Sequence, residues 1–370
     1  MSSEHPNRRD AARDDAASGS DVPQNVDSQT GAGTMTEQEA AKVASRPFGT
    51  SAVARNSGLV VALALLCVVG FITGGERFAD MDNVMTILRL AATIGVVSIG
   101  MTFVITGGGI DLSVGAVVAL SSVWATTVST QVMASDTHWT LLVLVAILVG
   151  AGAGLINGLL VSFGRIVPFI ATLAMMASAR GLAEIIANRQ TQRIKYVPEF
   201  LDNVRGNFLG IPRLVWIFIF VAAVGWILLN RTTFGRRTVA VGGNPEAARL
   251  AGINVKRHTV WLYTLAGSSA GIGAVMLMSR TTTGSSTHGM MYELDAIAAV
   301  VIGGTLLSGG RGTIVGTVFG VVIFSTLSNV FTLNNLSSSA QAVTKGLIIV
   351  IAVLLQQRIA ERGARRQVST

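Results

Sequence analysis

The sequence predicts an all-α polytopic membrane protein with about ten transmembrane helices and a disordered N-terminal tail. Three features of the composition support this fold class. Only 13% of the 370 residues are charged, about half of the ~25% that is usual in soluble globular proteins. Hydrophobic residues make up 50% of the chain, and the mean hydropathy is +0.58. The 41 glycines are typical of closely packed transmembrane helices.

The first 57 residues differ in composition from the rest of the chain. Residues 1–57 are rich in Asp, Ala, Ser, Gln and Arg and show no apolar periodicity, which predicts a disordered tail. This tail is too long and too acidic to be the start of a secretory signal peptide, so we expect no cleavage. Residues 58–357 form the expected transmembrane domain, and residues 358–370 form a second, basic tail.

Apolar segments of spanning or nearly spanning length fill this domain and predict ten membrane crossings. They are 58–74, 84–106, 113–133, 140–163, 166–187, 213–230, 259–279, 293–309, 313–333 and 341–357, of which the eighth is short. Trp139, Trp216, Trp226 and Trp261 fall near segment ends, as expected for side chains at a membrane interface.

The distribution of Lys and Arg predicts the side of the membrane that each loop faces, because cytoplasmic loops carry an excess of positive charge. With the N-terminus in the cytoplasm, the cytoplasmic side collects most of the cations. These are Arg165, Arg231, Arg236, Arg237, Arg249, Lys256, Arg257, Arg311, Arg358, Arg362, Arg365 and Arg366. An even number of crossings then places both termini in the cytoplasm. The loop 188–213 is an exception, since it places five cations on the opposite side.

No catalytic or metal-binding pattern stands out in the sequence. The four histidines do not show the spacing of metal ligands. The chain contains no G-x-x-x-x-G-K-[ST] motif, and SGGRGT at 308–313 lacks the Lys that would reach a phosphate. We therefore expect no catalytic residue, no metal and no cofactor in this chain, and no ATP hydrolysis by the chain alone. Membrane lipid is its expected environment, and nucleic acid is not an expected partner.

The stretch TGGGIDLSVGAVVAL interrupts the apolar pattern after the second segment. Gly107, Gly108 and Gly109 permit backbone conformations that other residues resist, which predicts a break in the helix. Asp111 and Ser113 are expected to cap the next helix by accepting its first N–H groups. A role of these five residues as a hinge or in a pathway is the alternative. A second glycine-rich break, VIGGTLLSGGRGTIVG at 301–316, hints at an internal repeat of the kind found in transporters.

Ionisable residues inside the apolar segments have two possible roles. Arg180 and Glu184 lie four positions apart and are expected to neutralise each other. Asp295 and Lys345 lie close enough to segment ends to reach the membrane interface. The alternative is a proton or ion relay, as a secondary transporter would need.

Small and polar residues inside the spans predict contacts between helices. Asn157 and Asn329 are candidates for lining a pathway, but a hydrogen bond between helices is the favoured role. Glycines four positions apart allow helices to approach closely, within one subunit by default or between two copies. They occur at Gly150, Gly154 and Gly158, at Gly267 and Gly271, and at Gly316 and Gly320.

The stretch VAVGGNPEAARLAGINVKRHTV places a short, charged and well-capped helix between two apolar segments. Asn244 is a good N-cap, Pro245 suits the first helical position, and Glu246 meets the positive end of the helix dipole. Arg249 lies within the helix, and Gly252 suits the left-handed residue that ends it. Capping signals of this kind are equally consistent with an ordinary connector.

Four blocks of the sequence, in order, resemble the permease subunits of bacterial ribose-type sugar importers of the ATP-binding cassette class. The blocks are GGGIDLSVGAVVALSS, VPFIATLAMMASARGLA, VGGNPEAARLAGINV and AIAAVVIGGTLLSGGRGTIVGTVFGVVI, and the resemblance covers roughly residues 58–357. It implies the permease fold of these importers, a location in the bacterial plasma membrane, and a homodimer with the translocation path at its centre. It also implies two kinds of partner, separate cassette ATPase subunits and an extracytoplasmic sugar-binding protein. Branched-chain amino-acid and nucleoside permeases share the wider fold, and GGGIDLSVGA favours the sugar branch.

The resemblance assigns a role to one region. The helix at Asn244–Gly252, within a cytoplasmic loop at 231–258, is the implied coupling helix that fits a groove on the ATPase. On the opposite side, the basic loop 188–213 violates the charge bias, and our hypothesis is that Arg189, Arg193 and Arg280 pair with acidic residues of the binding protein. A solvated loop that touches lipid headgroups is the alternative. An ion-coupled secondary transporter and a membrane enzyme acting on a lipid-linked substrate remain the alternatives, and neither needs an ATPase.

Overall fold

The structure is a computed structural model that describes the backbone of residues 48–351 and 354, and the side chains of residues 57–351 and 354. Its regular structure is almost entirely helical. The helices are α1 (Phe48–Gly74), α2 (Glu76–Ala79), α3 (Met81–Thr106), α4 (Val114–Ala125), α5 (Val128–Asp136), α6 (Thr140–Ser162), α7 (Pro168–Ile186), α8 (Pro198–Arg205), α9 (Arg213–Arg231), α10 (Thr233–Gly243), α11 (Pro245–Leu250), α12 (Val255–Thr281), α13 (Tyr292–Ile302), α14 (Ile314–Leu333) and α15 (Ser338–Ile351). Two-residue strands pair as β1 (Gln192–Arg193) with β4 (Thr283–Gly284), and as β2 (Asn207–Phe208) with β3 (Ile211–Pro212).

Within the described residues, seven helices are long and apolar enough to cross a membrane, fewer than the ten segments predicted. The third predicted segment, 113–133, is divided into α4 and α5, which meet at a bend of 58° and make an eighth crossing if they are taken together. The bend has a local cause. The hydroxyl groups of Thr126 and Thr127 donate to carbonyl oxygens of the preceding turn, and the Thr127 Oγ1 then accepts from the Thr130 N–H at the start of α5.

The eighth and tenth predicted segments also differ from full-length helices. In place of a helix over 293–309, α13 ends at Ile302, because Gly303 and Gly304 follow and Gly304 has a φ of 87°. Residues 303–313, which follow α13, form a loop and not a continuation of the helix. The tenth segment corresponds to the shorter apolar helix α15, and residues 352–353 and 355–357 of that segment lie outside the described part of the chain.

The predicted boundary of the N-terminal tail is not a boundary of helical structure. Helix α1 begins at Phe48, so residues 48–57 of the predicted tail are helical and continue into the first apolar segment. The rest of that tail and the basic residues 358–370 lie outside the described residues.

Glycine-lined surfaces allow the central helices to pack closely. The most extensive contact between two helices joins α12 to α6. A Cβ added to Gly150 would lie 2.9 Å from the Gly271 nitrogen, and one added to Gly154 would lie 3.1 Å from the Gly267 Cα. Packing within the subunit is therefore confirmed as a role of these glycines. Helix α3 passes through the middle of the bundle and is buried continuously from Ala91 to Thr106.

Contacts between loops define two ends of the helical bundle. The first, here called the α11 end, brings together Thr106 at the end of α3, the α10–α11 segment and the loop residue Gly310. The second, here called the β1–β4 end, carries the β1–β4 ribbon. Helix α9 ends next to α10, at the α11 end, and α12 ends next to β4, at the β1–β4 end. Helices α9 and α12 therefore run in opposite directions through the bundle.

Candidate functional site

Helix α11 is a short rigid projection whose two ends are both capped. The Asn244 Oδ1 accepts a hydrogen bond of 2.9 Å from the Ala247 N–H, and Pro245 occupies the first helical position. Gly252 has a φ of 82°, and its N–H donates to the Arg249 carbonyl. The next N–H, of Ile253, donates to the Ala248 carbonyl, which completes a Schellman motif. The local geometry that was predicted for this stretch is therefore observed.

The outer face of α11 combines an ion pair with an exposed leucine. The Arg249 guanidinium donates to both carboxylate oxygens of Glu246, at 2.9 and 3.0 Å, and both side chains are mostly exposed. Leu250 is 82% exposed, whereas Ala248 on the opposite face is buried. Sequence reasoning missed Leu250, although an apolar residue at the tip of a short polar helix is a visible signal. A capped helix with an exposed apolar tip is suited to insertion into a groove on another protein.

Glycines hold α10 and α11 against both of the glycine-rich breaks. A Cβ on Gly242 would collide with the Thr106 carbonyl oxygen and would lie 2.6 Å from the Gly310 nitrogen. Those two atoms are themselves joined, since the Gly310 N–H donates to the Thr106 oxygen at 2.9 Å. Gly309 approaches Gly108 in the same way, with its added Cβ at 2.9 Å from the Gly108 Cα. We call these four glycines the glycine junction, because backbone meets backbone there with no side chain between.

Asp111 organises the first break and does not cap the following helix. Its Oδ1 accepts from both the N–H and the hydroxyl of Ser113, at 2.9 and 2.6 Å. The Ser113 hydroxyl in turn accepts from the Asn157 side-chain amide at 2.9 Å, so neither predicted cap is formed toward α4. The reason is that the donors of Ser113, two positions away in the same loop, are nearer to the Asp111 carboxylate than the N–H groups of the helix are. Burial raises the pKa of the Asp111 carboxyl above its usual value, and the Ser113 hydrogen bonds oppose this shift.

Asn329 makes the interhelical hydrogen bond that was the favoured prediction, whereas Asn157 bonds to a loop residue. Asn157 connects α6 to the Asp111 loop through Ser113. Asn329 on α14 and Asn83 on α3 exchange amide hydrogen bonds of 2.7 and 3.2 Å. The Asn157 Oδ1 is buried and has no hydrogen-bond partner among the described residues.

Arg180 does not pair with Glu184 as predicted. Glu184 instead lies 3.4 Å from Arg189, and the Arg180 Nη1 donates to the carbonyl oxygens of Ser286 and His288 in the loop before α13. Carbonyls of a loop are open acceptors for the guanidinium, which carries five donors. Burial, followed by the nearby charges of Arg180 and Arg280, lowers the pKa of His288 to about 4, so this imidazole is neutral at pH 7.

Lys345 and Asp295 form a buried ion pair in place of the predicted positions at the membrane interface. The Lys345 ammonium donates to both carboxylate oxygens of Asp295 at 3.0 Å, and Asp295 is 6% exposed. The pair joins α15 to α13. Each charge is compensated by the other, which is the condition for burying both in an apolar environment.

The β1–β4 end displays basic residues on an ordered support. The buried Gln131 side chain of α5 accepts from the Lys195 N–H and donates to the Arg193 carbonyl, which fixes this stretch of the basic loop. Arg193 and Arg189 are exposed, whereas Arg280, at the end of α12, is half-buried. Two of the three predicted docking cations therefore face outward at this end.

Comparisons with known proteins assign this chain to a known family. Residues 83–354 match the family described as branched-chain amino acid transport system / permease component. The chain is 43% identical over 307 residues to a ribose import permease protein of Bacillus subtilis, which covers 83% of this chain and 94% of the relative. It is 35% identical to the ribose import permease protein of Escherichia coli K12, over 85% of this chain and 98% of the relative. It is also 37% identical to an L-arabinose ABC transporter permease protein of Azospirillum brasilense, over 81% of this chain and 87% of the relative. No solved structure matches the chain. The predicted resemblance to sugar importer permeases is thereby confirmed.

Proposed function

This chain belongs to the permease family whose profile it matches, and from that premise we propose that it is the membrane-spanning subunit of an ATP-driven sugar importer. Two copies form the translocation path, and separate cassette ATPase subunits bind at the α11 end. An extracytoplasmic binding protein delivers a monosaccharide at the β1–β4 end. The chain needs no cofactor of its own, since the ATP is used by the partner subunit. The α11 end lies in the cytoplasm of a bacterium, together with both termini.

One observation carries the mechanical part of this proposal. Helix α11 is exposed on its outer face, yet only Asn244 separates it from α10, which meets both glycine-rich breaks through the glycine junction. Because backbone packs directly on backbone there, a displacement of α11 would also displace the Thr106 end of α3 and the loop before α14. We assign Asn244, Pro245, Glu246, Arg249 and Gly252 to the coupling helix, and we add Leu250. Gly107, Gly108, Gly109, Asp111 and Ser113 then form the hinge that responds to it.

Sugar is favoured over branched-chain amino acids or nucleosides by the relatives, several of which are named for ribose or arabinose. The description of the family itself names branched-chain amino acids, so that alternative has an observation in its favour. An ion-coupled carrier is disfavoured, because Lys345 and Asp295 already compensate each other and the Arg180 guanidinium is held by loop carbonyls.

The decisive experiment reconstitutes the full-length chain with its cassette ATPase in liposomes and adds the binding protein. We expect ribose- or arabinose-loaded binding protein to stimulate ATP hydrolysis and to drive uptake of the sugar. Leucine and a nucleoside, each with its own binding protein, serve as comparisons. Uptake driven by a pH or sodium gradient in the absence of ATP would rule out the importer.

A charge exchange on α11 tests whether its outer face is recognised. The double variant Glu246→Lys, Arg249→Glu keeps opposite charges three positions apart, so the helix keeps its internal pair. We expect ATPase attachment to weaken by about tenfold, because a partner surface complementary to the native order now meets like charges. Pull-down of the ATPase measures attachment, and Asp82→Lys, an exposed change near the β1–β4 end, is the control. Attachment and uptake at wild-type levels would make α11 a simple connector.

The basic residues at the β1–β4 end test the docking of the binding protein. We expect Arg189→Glu with Arg193→Glu to slow association of the binding protein and to reduce its dependence on salt, because charges at the rim of an interface act mainly on the association rate. Stopped-flow association at several salt concentrations measures both quantities. Unchanged rates with an unchanged salt slope would remove these two residues from the docking surface.

A further inference from the structure

A cavity at the β1–β4 end plays no part in the proposed transport. It has a volume of about 490 Å³ and lies between α6, α9 and α12, beside the β2–β3 hairpin. This volume falls within the range of about 300–1,000 Å³ that small-molecule sites occupy. Its lining includes Phe220 of α9, which is 69% exposed, so the cavity reaches the outer surface of a spanning helix, where the surroundings of a membrane protein are lipid.

The walls of this cavity, here called the groove, change from polar to apolar along its length. Arg213 and Asn203 lie at one end together with the rings of Trp139 and Trp216, and the other end is apolar around Ile147 and Val221. Val221 follows Arg213 by eight positions on α9, and Ile147 follows Trp139 by eight positions on α6. At 1.5 Å per residue the groove therefore extends about 12 Å along the helices.

This length and polarity match one leaflet of a bilayer. The hydrocarbon core of a bilayer is about 30 Å thick, so one leaflet contributes about 15 Å. Tryptophan rings prefer the boundary between headgroups and hydrocarbon. The polar end of the groove thus lies at the depth of lipid headgroups, and its apolar end lies at the depth of acyl chains.

Arg213 carries the charge at the polar end without a carboxylate to balance it. Its Nη1 donates to the Asp202 carbonyl oxygen, which is neutral, and the ion pairs found among the described residues involve other cations. The side chain is half-buried, so water screens its charge only in part. A planar guanidinium in this position is suited to a phosphate group.

We propose that this groove binds one glycerophospholipid with a net negative headgroup. Its phosphate contacts Arg213, and one acyl chain lies along the groove toward Val221. The site also gives Arg213, one of the five cations of the basic loop 188–213, a partner of opposite charge on the side of the membrane where positive charge is normally sparse.

Native mass spectrometry of the full-length chain tests the site. The protein is purified in detergent, exchanged into nanodiscs that contain equal amounts of phosphatidylglycerol and phosphatidylcholine, and released in the spectrometer. We expect the wild-type chain to retain phosphatidylglycerol in preference to phosphatidylcholine. Arg213→Gln should reduce this preference by about tenfold, since both lipids carry a phosphate but only phosphatidylcholine also carries a choline cation, which the positive charge of Arg213 disfavours. Arg213→Lys keeps the charge and should keep the preference.

A second pair of variants tests the acyl-chain end of the groove. Val221→Trp fills the groove and should abolish retention of either lipid, whereas Val224→Trp, on an exposed face of the same helix, should not. Arg205→Gln, an exposed change on α8, is the control for loss of charge. Equal retention of both lipids by the wild-type chain would overturn the proposal, and so would unchanged retention in Val221→Trp. If Val221→Trp instead dissociates an oligomer without changing the bound lipid, the groove belongs to an interface between copies and the proposal is wrong.

Discussion

Gly242→Ala is expected to abolish coupled transport. The added methyl group would be driven against the Thr106 carbonyl oxygen and would lie 2.6 Å from the Gly310 nitrogen, and both atoms belong to the backbone. Neither backbone atom can move aside as a flexible side chain would. The methyl group would therefore lengthen or break the hydrogen bond between the Gly310 N–H and the Thr106 oxygen. Overpacking of this kind costs about 1–3 kcal/mol. The backbone shift would displace α10 and α11 from both glycine-rich breaks, so we expect uptake to fall by more than about tenfold.

The neighbouring residue provides a matched control. Gly243 belongs to the same helix, and a Cβ on it would meet nothing closer than the Gly310 Cα at 3.9 Å. Gly243→Ala should therefore leave uptake close to the wild-type value. Sugar uptake and ATP hydrolysis are measured on reconstituted transporter, and the thermal stability of the purified chain shows whether it still folds. Equal behaviour of the two variants would mean that close packing at Gly242 does not matter for coupling.

Local signals in the sequence predicted the local features of this protein. Asn244 and Gly252 were identified as the caps of α11 from residue type and spacing alone, because a cap depends on a few neighbouring residues. The glycine-rich breaks were found for the same reason. The spacing of Gly150 and Gly154 predicted close helix packing, although it could not name Gly267 and Gly271 as the surface they meet.

Features that depend on distant parts of the chain could not be predicted in this way. Lys345 and Asp295 are 50 positions apart, and Asn83 and Asn329 are 246 positions apart, so each pair is visible only after folding. Hydropathy also overcounted the full-length spans. The mean hydropathy of a window of residues does not change at a bend between two apolar helices. It also stays high across the glycines that end α13.

Charge patterns in the sequence were informative about position but not about partners. Arg180 and Glu184 have the spacing of a helical ion pair, yet the open carbonyls of the loop before α13 attract the arginine instead. A side chain can bond to any acceptor that the fold brings near it. The spacing of residues in the sequence identifies only the acceptors on the same helix. The same limit explains why Leu250 was overlooked, since its exposure depends on which face of α11 packs against the bundle.

Leu250→Asp is expected to detach the ATPase from an otherwise intact permease. Leu250 is 82% exposed, so its side chain contributes little to the stability of its own chain. If α11 enters a groove on the ATPase, however, the leucine becomes buried there, and an aspartate would place an unpaired charge in an apolar contact. Loss of a hot-spot residue at the centre of an interface costs about 2–4 kcal/mol, which corresponds to weakening of attachment by about 30- to 1,000-fold.

A second exposed leucine provides a control that distinguishes a loss of contact with the ATPase from a general loss of exposed apolar surface. Leu209 is 76% exposed in the turn between β2 and β3, at the opposite end of the bundle. Leu209→Asp should leave ATPase attachment unchanged, and Leu250→Met should retain most of it because the side chain stays apolar. Attachment is measured by co-purification and by ATP hydrolysis in response to the loaded binding protein. Equal attachment by Leu250→Asp and Leu209→Asp would show that the tip of α11 does not enter the partner, and the coupling role would then have to reside elsewhere in the loop 231–258.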